Sequence, residues 1–195
     1  MARAIAPVDQ QGNKQVIIYD WDVGTEGDNV KGGATGAGID KNIMDFYRFI
    51  VHDYDDGDQL LQFQSGDLHS ALTGRLIRNC GILRREHSRR IPAAYDLYRQ
   101  RSADSVPYKQ KSTEFRRSFS VADHTDIELI GVWDSVEALG IPVPFLGTLG
   151  TTRYLFHDIE PSSIIRHARH AVSIDENRED CEPALWGKKP EIDLK

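Results

Sequence analysis

The sequence predicts an α/β fold, a layered sandwich built on a mostly parallel sheet. Two observations carry that expectation. Short apolar, β-branched runs alternate along the chain with segments whose apolar residues recur at helical spacing, the order that favours parallel pairing. In addition, the stretch LLQFQSGDLHSALTGRLIRNCGIL (60–83) reads as a strand passing through a tight Gly-bearing turn into an amphipathic helix. That local architecture is the one in which hydrolases place a nucleophile at a strained strand-to-helix elbow.

The elements follow in order. Residues 1–14 are polar and aperiodic and are expected to form a loose terminus. Val16–Tyr19 (VIIY) reads as a short buried strand. A Gly-rich loop follows and ends at Asp40, a candidate helix N-cap. Ile43, Tyr47, Ile50 and Tyr54 then share a helical face, which predicts a helix over 41–53. Asp56-Gly57-Asp58 is a turn, and 59–63 is a second strand. Leu68, Ala71, Leu72, Leu76 and Cys80 line the next helix, closed by Gly81. IELIGVW (127–133) is the third strand, with Asp134 directly after it, and 164–172 is expected to be a helix capped by Pro161-Ser162-Ser163.

The segment 84–117 differs in character, holding ten Lys/Arg against four acids. It is +6 locally in a chain of net charge −6, so the remainder carries −12. A basic helical insertion at about 84–118, solvated over the sheet, is expected, with Pro92 in the first turn of the helix IPAAYDLYRQ. The sharper alternative is a basic lid that meets anionic head groups or phosphates.

At 195 residues, 39% hydrophobic and 28% charged, the composition is that of an ordinary globular protein, with one domain expected over 15–195. The acidic balance gives no global reason to expect nucleic-acid binding. No window reaches the length of a membrane span, and the N-terminus lacks the apolar core of a signal peptide. Synthesis in the cytoplasm is the resulting expectation. Cys80 and Cys181 lie far apart without metal-ligand spacing, which favours two free thiols in a reducing compartment, and no metal or cofactor is expected. GGATGAG is neither a dinucleotide fingerprint nor a phosphate-binding loop, because Ile39-Asp40 stand where Lys-Ser/Thr would be needed.

Asp134 at the carboxyl end of a strand and His170 far downstream complete a chain order of elbow, acid and histidine. This is the order of an α/β-hydrolase triad, in which the histidine takes the nucleophile's proton and the carboxylate fixes its tautomer.

These residues resemble the α/β-hydrolase catalytic domain of type VI secretion phospholipase effectors and their bacterial and fungal relatives. The resemblance shows in VGT (23–25), GATGAGID (33–40), YDDGDQLLQF, GRLIRNCGIL, GVWDSVEALGIP, RHARHAVSIDENRED and PALW. It implies a three-layer, α/β-hydrolase-like sandwich, a phospholipid or ester substrate, and export by a signal-peptide-independent secretion system with a protein partner there. It places the catalytic acid on Asp134 and the histidine on His170, with His167 a lesser claimant. The family's Gly-Phe-Ser-Arg-Gly elbow falls on Gln62-Phe63-Gln64-Ser65-Gly66, so the nucleophile position is Gln64.

A carboxamide has no oxygen that a histidine can activate as it does a hydroxyl. Ser65 as an alternative nucleophile would put Phe63 and Asp67 at positions that a tight elbow requires to be small. Its backbone N–H is the expected oxyanion donor. The family's opening Asp-Gly-Thr strand has no counterpart in Met1–Asn13, which implies a sheet incomplete at its N-terminal strand. Such a sheet would leave an unpaired edge open to self-association. The expectation is a catalytically impaired member or a fragment of a longer protein. An esterase or phospholipase using Ser65, or a non-catalytic interaction module, are the alternatives.

Overall fold

A computed structural model describes residues 5–19, 37–65, 69–100, 108–133, 163–172, 174–175 and 193–194, with 37–39, 64–65, 69–71 and 193–194 described through their backbone alone. The described elements run α1 (Ala37–Asp53), β1 (Leu61–Ser65), α2 (His69–Cys80), a 3₁₀ turn (Arg85–Arg90), α3 (Ile91–Arg99), α4 (Gln110–Phe119), β2 (Ile127–Trp133), β3 (Ile165–Ala171) and β4 (Asp193–Leu194). Their strands form a parallel sheet of order β1-β2-β3-β4. An α/β fold is what the structure displays.

Each helix forms because its apolar residues repeat near the helical period. In α1, Ile43, Tyr47, Ile50 and Val51 are buried, and in α2 the buried stripe is Leu72, Thr73, Leu76, Ile77 and Cys80. Gly81 ends α2 with φ +70°, its N–H bonded to the Ile77 carbonyl at 2.7 Å. A side chain there would also come within 2.7 Å of Ser120. The buried Tyr47 hydroxyl donates to the Gly81 carbonyl at 2.7 Å and ties α1 to this helix end. β2 contributes Ile127, Ile130 and Val132, and β3 contributes Ile165 and Ala168, to the same core.

The basic segment is part of that core. Ile91, Ala94, Tyr95 and Leu97 of α3 are buried within it, and α3 packs on both α1 and α2. Its arginines fasten neighbouring elements together. Arg116 is buried and donates from Nη1 to the Asn79 carbonyl (3.0 Å) and from Nε to Asp123 (3.0 Å). Arg84 Nη1 donates to the Ser120 carbonyl at 2.8 Å, beside a bridge between Leu83 and Ser120. Arg85 Nε reaches the His52 carbonyl (2.7 Å), and Arg90 lies 4.0 Å over the Phe119 ring.

Three expectations change. The 164–172 segment is a strand instead of a helix. RHARHA mimics helical spacing, but Ile165 and Ala168 are buried in the sheet, where β2 satisfies the backbone ladder. Val16–Tyr19 is not a buried strand. It has no place in the sheet, and Val16 is 63% exposed. Asp40 lies inside the first turn of α1, where it accepts from Tyr95 Oη at 2.7 Å instead of capping the helix. Within the N-terminal segment, the Asp9 carboxylate accepts from the Gln11 and Asn13 backbone N–H groups, both at 2.8 Å, and a Val8–Lys14 bridge closes the turn.

Candidate active site

The chemistry expected of this chain belongs at the carboxyl edge of the sheet, where α/β folds gather their sites. β1 runs through Ser65 and α2 begins at His69, so residues 66–68 make the strand-to-helix connection. The strand therefore ends two residues later than the sequence suggests. Gln64 and Ser65 are its last two positions.

Register then sets the neighbours. Gln64 pairs with Val132, and Val132 pairs with His170. Ser65 is level with Trp133 and Ala171 in the final row. Two inter-strand spacings separate the backbones of Gln64 and His170, about 10 Å. The sheet brings both to one edge, with one strand between them. Asp134 follows Trp133, the last residue of β2, and lies outside the described residues, as do Cys181 and the Gly-rich stretch up to residue 36.

His170 is half-buried, and burial holds its imidazole below the ordinary histidine range. It is therefore neutral at pH 7, the state a proton acceptor needs. His167 differs in three ways. It is level with Leu129, three residues or roughly 10 Å back from His170 along the strand. Strand alternation turns it to the opposite face. Its Nε2 lies 3.6 Å from Glu128. Glu128 and Asp126 also hold Arg166, and Asp126 approaches His124 Nε2 at 2.6 Å, so the amino end of β2 carries an exposed charge network.

Packing under the edge depends on two glycines. A Cβ at Gly131 of β2 would come within 2.8 Å of the Phe63 ring, so only hydrogen there lets the ring lie across the strand. A Cβ at Gly74 of α2 would meet Ile127 at 3.1 Å, which marks how closely the helix approaches the sheet. Gln62 Oε1 is buried beside this contact with no hydrogen-bond partner among the described residues. Neither contact was legible in the sequence, because a glycine inside a strand or helix does not name what approaches it.

No group of three or more His, Cys, Asp or Glu residues suited to a metal occurs among the described residues. A hollow of about 200 Å³ lies between the end of α1 and the 3₁₀ turn, lined by Val51, Tyr54, Arg84, Arg85 and others, and His170 is not among the residues that line it. Cys80 is buried with its thiol pushed up to about 12 by desolvation and its Sγ 3.2 Å from the Ala94 carbonyl, which makes it unreactive packing. No described helix is long and apolar enough to cross a membrane.

Comparison with known proteins adds a family. The chain is 27% identical over 147 residues to the Saccharomyces cerevisiae protein described as "Uncharacterized protein YEL023C", an alignment covering 72% of this chain and 20% of that protein. It thus spans about a fifth of the length of that relative. No solved structure matches it. The model of the family described as "T6SS, Phospholipase effector Tle1-like, catalytic domain" matches residues 1–195, and the chain belongs to that family.

Proposed function

We propose that this chain is a hydrolytically impaired member of the phospholipase-effector family, one that retains the sheet, Asp134 and His170 without a competent nucleophile. The observation that carries this reading is Gln64. It occupies the serine position of the elbow motif, at the penultimate residue of β1 and level with His170.

In an active member, a serine hydroxyl would attack the ester carbonyl of a lipid. The histidine would accept its proton, the carboxylate would orient the imidazole, and backbone N–H groups would stabilise the oxyanion. Here His170 is neutral and suited to its part, and Asp134 follows the neighbouring strand. A glutamine carboxamide leaves the attacking step without a nucleophile. The substrate class this scaffold would address is a phospholipid or related ester, in the setting of a type VI secretion system.

A second reading has its own support. Because β1 extends through Ser65, that residue and not Gln64 abuts the connection to α2. Ser65 as nucleophile would make the chain an active esterase or phospholipase. The remaining alternative is a non-catalytic module that engages an active lipase or a secretion partner.

Short-chain acyl esters and phospholipid vesicles separate these readings. Wild-type turnover is expected at the background rate. Gln64→Ser is expected to raise it above background, and His170→Ala added to that variant is expected to remove the gain. Wild-type turnover abolished by Ser65→Ala, or Ser65 labelled by a fluorophosphonate, would overturn the impaired reading in favour of Ser65.

A further inference from the structure

The basic segment holds two sets of cations. Arg84, Arg85, Arg99 and Arg116 are committed within the fold, to the Ser120 and His52 carbonyls, to Asp40 and to the Asn79 carbonyl. Arg89, Arg90, Lys109, Lys111 and Arg117 instead stand exposed. The first set explains why the segment belongs to the core. The second set is not needed for that role.

One helix gathers these exposed cations. The Arg84 backbone N–H donates to the Phe119 carbonyl at 2.9 Å, which fastens the 3₁₀ turn to the carboxyl end of α4. Arg90 lies over the Phe119 ring, and His87 meets the same ring edge-on at 5.3 Å. Arg89 and Arg90 thus stand beside the last turn of α4, which also carries Arg117. That helix buries Ser112 and Arg116, so Lys111, Glu114 and Arg117 face outward, and Lys109 precedes its first turn. Ten residues of helix are about 15 Å long, so all five cations lie along one short element. The turn and the helix carry two carboxylates between them. Arg84 Nε engages Glu86 at 3.1 Å, and Glu114 accepts from Gln110 Nε2 at 2.7 Å.

We propose that the 3₁₀ turn and α4 form a face that docks on an anionic lipid bilayer, with Arg89, Arg90, Lys109, Lys111 and Arg117 meeting its head groups. A cluster of four to eight Lys/Arg is the size that binds such a surface, each contributing about fivefold in partitioning. Tyr108 suits the same partner. It is 75% exposed and lies 5.5 Å from Lys109 Nζ, an amphipathic ring beside a cation, as at membrane–water interfaces. The rest of the chain carries −12, so an anionic surface attracts this face and repels the others, which orients the molecule. The choice of a bilayer over another polyanion rests on the phospholipid class proposed above.

Vesicle sedimentation of the full chain tests the face. Binding is expected to phosphatidylcholine vesicles that contain phosphatidylserine, to weaken as salt is raised, and to be absent on phosphatidylcholine alone. Combining Arg89→Gln, Lys111→Gln and Arg117→Gln is expected to lower the partition coefficient at least about tenfold. The charge-preserving pair Arg89→Lys and Arg117→Lys should retain it, which separates charge from folding. A control combining Lys14→Gln, Arg48→Gln and Arg166→Gln removes as much charge from exposed positions elsewhere and should stay within about twofold of wild type. No binding to the anionic vesicles, equal losses in the two triple variants, or tighter capture by a DNA duplex would each overturn the proposal. Because the readout is binding and not turnover, its failure leaves the hydrolytic reading standing.

Discussion

The helical layer and the carboxyl edge of the sheet solve different problems with similar residues. In the helical layer, arginines are locked. Arg116 is buried against a backbone carbonyl and a carboxylate, and Arg84 clasps the end of α4. In the sheet, Arg166 of β3 reaches Asp126 and Glu128 from an exposed position. Charge of the same kind is structural in one region and superficial in the other. What decides is whether water competes for the guanidinium.

The largest contrast is expected at Arg116. Arg116→Ala leaves the Asn79 carbonyl and the Asp123 carboxylate without their donor, and a loss of about 2–3 kcal/mol is expected in urea unfolding. Arg116→Lys should recover little of it, since a single ammonium cannot reproduce the fork. Arg166→Ala, measured alongside, is expected to leave the midpoint in place. Equal losses at the two sites would erase the distinction between the regions.

A smaller effect is expected inside the sheet. Gly131→Ala drives a methyl into the Phe63 ring and should destabilise by about 1 kcal/mol. Because the partner is one named side chain, Phe63→Ala in the same molecule should remove most of the penalty, and additive losses in the double variant would contradict that contact.

The smallest effect concerns His170. Its folded pKa lies below the ordinary value of 6.5, so the unfolded chain binds the proton more readily. Stability is therefore lost as pH falls through about 6.5 and levels off once the folded imidazole is also protonated. His170→Gln should flatten that part of the pH profile. An unchanged slope between pH 8 and pH 5.5 would show that burial at this position has no influence.

The family relation bears on the two regions unequally. The helical layer is complete enough among the described residues to account for the placement of its charged groups. The sheet is where the candidate functional residues gather, since Gln64, Ser65 and His170 all lie in its last rows.

Much of the architecture was legible in the sequence because it depends on local periodicity. The stripes of α1 and α2, the apolar run of β2 and the strand-to-helix step after β1 are all written in residues close in sequence. The resemblance to the family's elbow motif is likewise written in adjacent residues, and the proposed reading takes Gln64 as its nucleophile position on that ground. What depended on distant partners was decided only by tertiary structure. RHARHA became a strand because β2 offers a hydrogen-bonding ladder, and Val16–Tyr19 stayed outside the sheet although its composition favours a strand. The basic segment became core because Asn79, Ser118, Ser120 and His52 present carbonyls to its arginines. His170 and His167, the first and the lesser claimant by resemblance, were set apart in space by strand alternation and by Glu128. The sequence alone determines which groups can pair and react. Tertiary structure determines which of them lose water and gain a partner, and that exchange sets their energies.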